Sequence, residues 1–225
     1  MIIAMDGPAG TGKGTICKLI AERLGYTYID TGAMYRAITL KMLRNDISLE
    51  DEPKIKEMFE NTKIEFINDT NEDGKLVQKI ILDGEDVSEE IRTPRINETV
   101  SPYSALPLIR SKLVDLQRKM GENQDVIMEG RDITTVVFPN ADIKIYLDAT
   151  AEERANRRYK ELIQKGIKTT YKETLESINK RDYNDMHKEI GALKVAEGAI
   201  VVDTTLLSIE EVYEIIKKII DEKVK

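Results

Sequence analysis

The sequence predicts an α/β protein built on a five-stranded parallel sheet. Five short apolar runs, at residues 2–5, 26–29, 126–128, 143–147 and 199–202, alternate with stretches of helical period. A glycine-rich stretch, Gly7-Pro8-Ala9-Gly10-Thr11-Gly12-Lys13-Gly14-Thr15, joins the first run to the first helical stretch. Alternating material over residues 64–82 breaks that rhythm once and reads as an antiparallel insertion.

Taken in order, Ile2 to Met5 is a first strand, and a helix runs from Ile16 to Leu24 until Gly25 stops it. Tyr26 to Ile29 is a second strand ending in Asp30-Thr31-Gly32, and a helix follows from about Ala33 to Arg44. From Ser48 the character changes. A short helix over Pro53–Asn61 precedes a strand at Ile64–Ile67, a polar turn at Asn68–Lys75, a strand at Leu76–Leu82 and a tight turn at Asp83-Gly84. This stretch has too few apolar residues to stand alone, so it is an inserted subdomain. Pro94–Ser104 and Pro107–Met120 read as two helices broken at Pro107. The strand Val126–Met128 ends in Glu129-Gly130-Arg131-Asp132, and Ile143–Leu147 ends at Asp148. Thr150-Ala151-Glu152-Glu153 and Thr170-Tyr171-Lys172-Glu173 are capping boxes that open helices. Ala199–Val202 is the last strand. Ser208-Ile209-Glu210-Glu211 caps a final helix with an apolar stripe of Ile209, Val212, Ile216, Ile219 and Ile220.

The 225 residues suit one domain, 1–225, with insertions. Apolar residues at 41% and charged residues at 33% describe a soluble globular chain, and a net charge of -7 argues against a general nucleic-acid binder. The one cysteine, Cys17, rules out internal disulfides and fits a reducing, cytoplasmic setting. No apolar run reaches the ~18 residues of a membrane span. A monomer without membrane or nucleic-acid partners is the expectation.

The glycine-rich stretch carries the first chemistry. A polyphosphate needs many N–H donors aimed at one point, and glycines let the backbone fold around it. The following helix N-terminus adds free N–H groups and a positive dipole end. Lys13, expected on a solvent-facing loop, adds a point charge for the outer phosphates. The spacing is G-x4-G-K, with Gly14-Thr15 where Ser or Thr usually follows the lysine. A nucleoside triphosphate is the implied ligand. Phosphoryl transfer between anions also needs cations at strand ends and helix starts, and Arg36, Arg131, Arg154, Arg157, Arg158 and Arg181 stand there. Arg36 is placed either as a ligand group or as a solvated helix charge. Arg154, Arg157 and Arg158 share a helix face, but Glu153, Arg157 and Glu161 are also spaced as an i, i+4 salt-bridge ladder. Asn179-Lys180-Arg181-Asp182 matches the guanine-reading pattern N-K-x-D, but it sits in a helical period instead of at a strand end. His187, the one histidine, has no partner for a triad or metal site.

These residues together carry a resemblance. The stretch Asp6–Thr15 resembles the phosphate loop of nucleoside monophosphate kinases. With Asp30-Thr31-Gly32-Ala33-Met34-Tyr35-Arg36, Gly84-Glu85-Asp86-Val87-Ser88, Glu129-Gly130-Arg131-Asp132 and Arg181-Asp182-Tyr183-Asn184-Asp185, the whole chain is similar to the bacterial cytidylate kinases. That resemblance implies a P-loop core, a monophosphate-binding insertion near residues 36–104 and a mobile helical lid near 150–185. It implies ATP as donor, Mg²⁺, and CMP and dCMP as acceptors. By motif position, Gly7 to Thr15 with Arg154 and Arg157 would bind ATP, and Lys13, Arg131, Arg157 and Arg158 would act on the transferred group. Thr31, Gly130, Arg36, Arg131, Arg181 and Lys188 would hold the acceptor around its phosphate. Ser101, Arg110 and Asp132 would face the cytosine, Asp185 the ribose. The Mg²⁺ contacts stay open, with Thr15 or Glu129 as candidates through water. Three positions depart from the family pattern: Glu129 replaces Asp, Thr134 replaces Gly and stiffens its loop, and Lys188 replaces Arg. A kinase for UMP or AMP, or an ATPase that transfers nothing, are the alternatives; Arg36 and Arg131 speak against the last.

Overall fold

The computed structural model describes residues 1–72 and 74–224. In chain order its elements are β1 (Ile2–Asp6), α1 (Lys13–Leu24), β2 (Thr27–Asp30), α2 (Thr31–Arg44), α3 (Glu52–Glu60), β3 (Ile64–Thr70), β4 (Leu76–Leu82), β5 (Glu85–Asp86), α4 (Pro94–Ala105), α5 (Pro107–Met120), β6 (Val126–Gly130), β7 (Ile143–Asp148), α6 (Ala151–Gln164), α7 (Tyr171–Met186), β8 (Ile200–Asp203) and α8 (Ile209–Val224). The five expected parallel strands pair in the order β2-β6-β1-β7-β8.

Strand β1 is apolar on both faces because the sheet is covered on both. Successive side chains point to opposite faces. Ile3 and Met5 therefore join Ile127, Ile145 and the inner stripes of α1 and α8, whereas Ala4 joins Val126, Met128 and the inner faces of α2 and α5. The C-terminal ends of β1, β2, β6 and β7, at Asp6, Asp30, Gly130 and Asp148, meet at one edge. Ligands of open parallel sheets gather at that edge.

The inserted strands form a separate antiparallel sheet, β3-β4-β5. Its inner residues Ile64, Ile80 and Leu82 lie in the same apolar cluster as Ala4 and Met128, so the insertion is packed on the core. Strand β3 runs to Thr70, past the expected start of the turn at Asn68. The cause is Gln78, whose amide donates to Asn68 Oδ1 at 3.0 Å and to the Tyr28 carbonyl at 2.6 Å, pinning the outer strand to the main sheet. Two short segments carry no readable period: a 3₁₀ turn at Glu90–Arg92 and a π-helical turn at Ile133–Val137.

The caps differ in one place. Thr170 with Glu173, and Ser208 with Glu211, make both bonds of a capping box. Thr150 accepts from Glu153 N, but the Glu153 carboxylate turns to Arg157 Nε at 2.9 Å, so only half of the expected box forms. The asparagine-to-aspartate pattern at 179–182 lies inside α7, as its period predicts.

Candidate active site

The donor side is built by where the loop's carbonyls point. Lys13 Nζ donates to the carbonyls of Gly7 and Pro8, each at 2.7 Å. Arg154 Nη1 takes the Ala9 carbonyl at 3.1 Å, and Thr204 Oγ1 takes that of Thr11 at 3.2 Å. Four of the loop's carbonyls are thus engaged, and no side chain caps α1 at Gly12, which leaves the first N–H groups of the helix open to a ligand. That is an anion cradle at a helix N-terminus. Gly10, Thr11, Gly12, Thr15, Arg157, Arg158 and the 204–209 loop line a cavity of about 750 Å³ beside it, enough for a nucleotide.

Lys13 corrects an expectation. It is only 5% exposed, because the ends of β1 and β6 close around it. Burial first, and the nearby Arg131 second, pull its ammonium down to about 7 against the opposing pull of Glu129 and Asp6. The free site thus holds more positive charge than it can easily keep, which is what an incoming polyphosphate relieves.

Gly14, the departure from the usual loop pattern, has a local reason. A Cβ there would stand 2.9 Å from Glu129 Oε1 and 3.5 Å from the Tyr28 hydroxyl. The longer Glu129 fills that space, and Tyr28 donates to its Oε1. Burial, then the neighbouring Asp30, raises the Glu129 carboxyl above its ordinary value. Thr134 is explained as well. Its N–H and hydroxyl both donate to Asp6 Oδ2, at 2.7 and 2.5 Å, while Ile133 N donates to Oδ1 at 2.9 Å. The buried Asp6 therefore ties the end of β1 to the loop after β6.

On the acceptor side the cations gather on two carboxylates. Arg36 pairs with Asp30 at 3.1 Å, and Thr31 Oγ1 donates to the Glu129 carbonyl at 2.7 Å, against Gly130. Asp185 receives Arg131 Nε at 2.9 Å and Lys188 Nζ at 3.0 Å, with Arg181 Nε 3.9 Å away. Burial would raise the Asp185 carboxyl, but Arg131 and Lys188 overcome it and hold it at about 2. Arg181, 51% exposed, is pulled down to about 10 by its dense surroundings and by Arg131. Its open face to water keeps the guanidinium charged. Arg92, which carries no motif, reaches Asp30 at 3.9 Å from the 3₁₀ turn and joins this cluster.

Deeper in, Arg110 and Asp132 form a buried ion pair, each about 5% exposed. Arg110 Nη1 also donates to the Ser104 carbonyl at 3.3 Å. Burial raises the Asp132 carboxyl, and Arg110 opposes that rise. Gly191, at φ 69°, lies directly on the pair, where a Cβ would come within 2.0 Å of Arg110 Nη2. Ser101 is exposed on α4, and among the described residues its hydroxyl bonds to neither member.

The three helix arginines separate. Arg154 is buried, with Asp182 at 2.6 Å and the Ala149 carbonyl at 2.9 Å, and lies under the loop instead of along the cavity. Arg157 donates to Glu153 and to the Thr204 carbonyl at 2.5 Å. Arg158 is exposed and, among the described residues, pairs only with Glu161 at 2.7 Å; the expected Arg157–Glu161 rung of the ladder is absent. An expected result follows. Arg158→Ala should lower kcat by roughly 10²-fold and leave the melting temperature unchanged, since an exposed i, i+3 pair contributes about 0.3–0.5 kcal/mol. Arg157→Ala should lower both stability and ATP affinity, because it unties α6 from the 204–205 loop. Thermal melts and saturation kinetics on the two variants separate these outcomes.

His187 is exposed, stacks on Tyr183 at 4.0 Å and contacts its carbonyl through Nδ1. Among the described residues no cluster of His, Cys, Asp and Glu could hold a metal ion unaided, and no helix is long and apolar enough to cross a membrane.

Comparison with known proteins places these features in a family. A family model described as cytidylate kinase matches residues 3–222. The chain is 52% identical to a cytidylate kinase of Caldanaerobacter subterraneus subsp. tengcongensis, covering 96% of this chain and 94% of that one. It is 50% identical to a cytidylate kinase of Carboxydothermus hydrogenoformans, covering 99% and 98%. Among solved structures, an uncharacterized protein from Eubacterium ventriosum shares the fold, with a TM-score of 0.51 and 14% identity over 99% of this chain and 98% of that one.

Proposed function

The chain belongs to the cytidylate kinase family, and from that premise we propose that it transfers the γ-phosphoryl group of ATP to a phosphate oxygen of CMP or dCMP. The observation that carries this reading is the pair of anion sites at one sheet edge. The phosphate loop is one. The cluster of Arg36, Arg131, Arg181 and Lys188 around Asp30 and Asp185 is the other. An ATPase that activates only water has no use for the second.

The acceptor is already an anion, so the site needs no strong base. Its residues align two phosphates and neutralise the charge that spreads between them. In the bound state Lys13 leaves the Gly7 and Pro8 carbonyls for the outer phosphates. Arg131 stands between the two sites and takes the transferred group, and Arg158 closes from α6. Thr15 lines the cavity and the Glu129 carboxylate lies beside the start of α1. This set fits Mg²⁺ held mainly by substrate phosphates and waters. The ion supplies charge neutralisation between the phosphates when bound. Residues 36–104 and 150–185 act as the parts that close over acceptor and donor. Water is thereby excluded from the transfer.

Base choice rests on Arg110 and Asp132. Cytosine offers an amino donor where uracil offers a carbonyl acceptor, and an ionised carboxylate can only accept. CMP satisfies Asp132, whereas UMP sets two acceptors face to face in a buried pocket. Such a mismatch costs about 1–3 kcal/mol or more, so CMP should exceed UMP by tenfold to several hundredfold in kcat/KM. Losing one ribose hydroxyl leaves most contacts in place, so dCMP remains a good substrate. The test is Asp132→Asn, which keeps the shape and a bond to Arg110 but can present an amide donor. Its CMP:UMP ratio should fall at least about tenfold. An unchanged ratio would remove Asp132 from base reading.

A further inference from the structure

Behind the Arg110–Asp132 pair lie buried polar groups that the proposed reaction does not use. Arg110 and Gln117 sit on α5 seven residues apart, and so on one face two turns along. Tyr35 reaches across from α2 towards that face. Its ring centroid lies 5.8 Å from the Arg110 guanidinium carbon. The Gln117 amide lies near the Tyr35 hydroxyl and lowers its pKa without completing a hydrogen bond to it.

Gln117 is 1% exposed and Tyr35 9%. Among the described residues, Arg110 Nε, the Tyr35 hydroxyl and Gln117 Nε2 find no hydrogen-bond partner. The surroundings are otherwise aliphatic, with Ile109, Leu113 and Ile133 fully buried. A core position that needs only volume is filled by leucine or methionine, because an unpaired buried polar group is rarely tolerated. Burial, with Asp132 adding to it and Arg110 opposing, sets the Tyr35 hydroxyl at about 12, so it keeps its proton and acts as a donor. The Gln117 amide can turn half a rotation without changing shape, so either its N–H or its oxygen can meet the hydroxyl.

We propose that Tyr35, oriented by Gln117, braces the Arg110 guanidinium so that the Arg110–Asp132 pair faces the acceptor base in reading position. Both are positioning residues for base choice. The ring face of Tyr35 limits the swing of the guanidinium. Gln117 holds the ring, and the Ser104 carbonyl and Asp132 take the other side of Arg110. The inference rests on the base-reading role given above to Arg110 and Asp132.

The test uses the full chain with Gln117→Met, Tyr35→Phe, Arg110→Met, and Gln117→Met combined with Arg110→Met. Each of the first two should raise the KM for CMP by about three- to tenfold, the worth of one buried hydrogen bond. Each should narrow the CMP:UMP ratio of kcat/KM, with kcat and the KM for ATP held within about twofold. The melting temperature of Gln117→Met should fall by only a few degrees, since the contact to the Tyr35 hydroxyl is lost while the burial cost of an amide is relieved. Added to Arg110→Met, the Gln117 change should have no further effect on CMP. If both single variants keep the CMP:UMP ratio, or if the Gln117 effect adds fully to that of Arg110→Met, the brace is wrong and the base-reading pair stands. If Arg110→Met itself keeps the ratio, the base-reading role fails and the brace with it. Should Gln117→Met not fold, Tyr35→Phe alone decides by the same readouts.

Discussion

Replacing Lys13 with Met should lower kcat/KM by about 10³-fold or more while the protein stays folded, because the charge is lost and the packed stem is kept. The stem is buried at the edge of the sheet, and Nζ serves the Gly7 and Pro8 carbonyls in the free protein. Methionine gives up those bonds but also removes a desolvated charge. The two nearly offset, and stability should change by no more than about 1 kcal/mol. The same lysine gives ATP binding a pH signature. Its free-state value of about 7 must rise when the triphosphate arrives, so binding takes up a proton. At pH 8 the uptake should approach about 0.9 proton per ATP, and affinity should fall as pH rises through 7. Calorimetry in buffers of different ionisation enthalpy measures this directly. Lys13→Met should abolish the uptake, and uptake that survives in the variant would assign it to another group.

Arg131→Ala should be at least as damaging, at about 10³–10⁵ in kcat, because Arg131 lies near Lys13 on the donor side and pairs with Asp185 on the acceptor side. Arg131→Lys restores charge without the planar fork and should recover only part of the rate. A structural consequence accompanies the loss. Asp185 lies at about 2 in the folded protein against an ordinary 3.8, with Arg131 the stronger of its cationic partners. A depressed carboxyl stabilises the fold above its unfolded value, and that contribution fades as pH falls from about 4 to about 2. In Arg131→Ala the folded value rises towards 3.8, so the variant should lose stability at neutral pH and show a shallower acid limb over that window. Melting temperatures from pH 2 to 7, with kcat measured well below the melt, separate the catalytic loss from the structural one.

Much of this architecture is legible in the chain because it is local. The strand–loop–helix at residues 2–24 is fixed by apolar run, glycines and stop signal. The boundaries of α5 follow from Pro107 and the period after it. What the chain hides is pairing at a distance. Nothing at Gly14 announces that Glu129 and Tyr28 will occupy its missing side chain, and nothing in Arg110 announces Asp132. Lys13 looked open to solvent because burial by strand ends is a property of the sheet. Thr134 looked like a stiffened loop residue, and its link to Asp6 needed the two strands side by side. Arg92 carried no motif signal, and its irregular 3₁₀ turn gave no period to place it. Glu153 satisfied the spacing of a capping box, yet the stronger partner, Arg157, was one turn further along the same helix.

Phosphoryl transfer from ATP to a cytosine monophosphate has a direct readout in the ADP it releases. ADP formation is followed by a coupled assay with CMP, dCMP, UMP, AMP and GMP in turn, and with no acceptor. The expected result is rapid turnover with CMP and dCMP, turnover with UMP lower by tenfold or more in kcat/KM, and background with the purines and with ATP alone. ADP released at the same rate without any acceptor would mean that no phosphoryl group reaches a nucleotide, and UMP used as efficiently as CMP would mean that the base is not read.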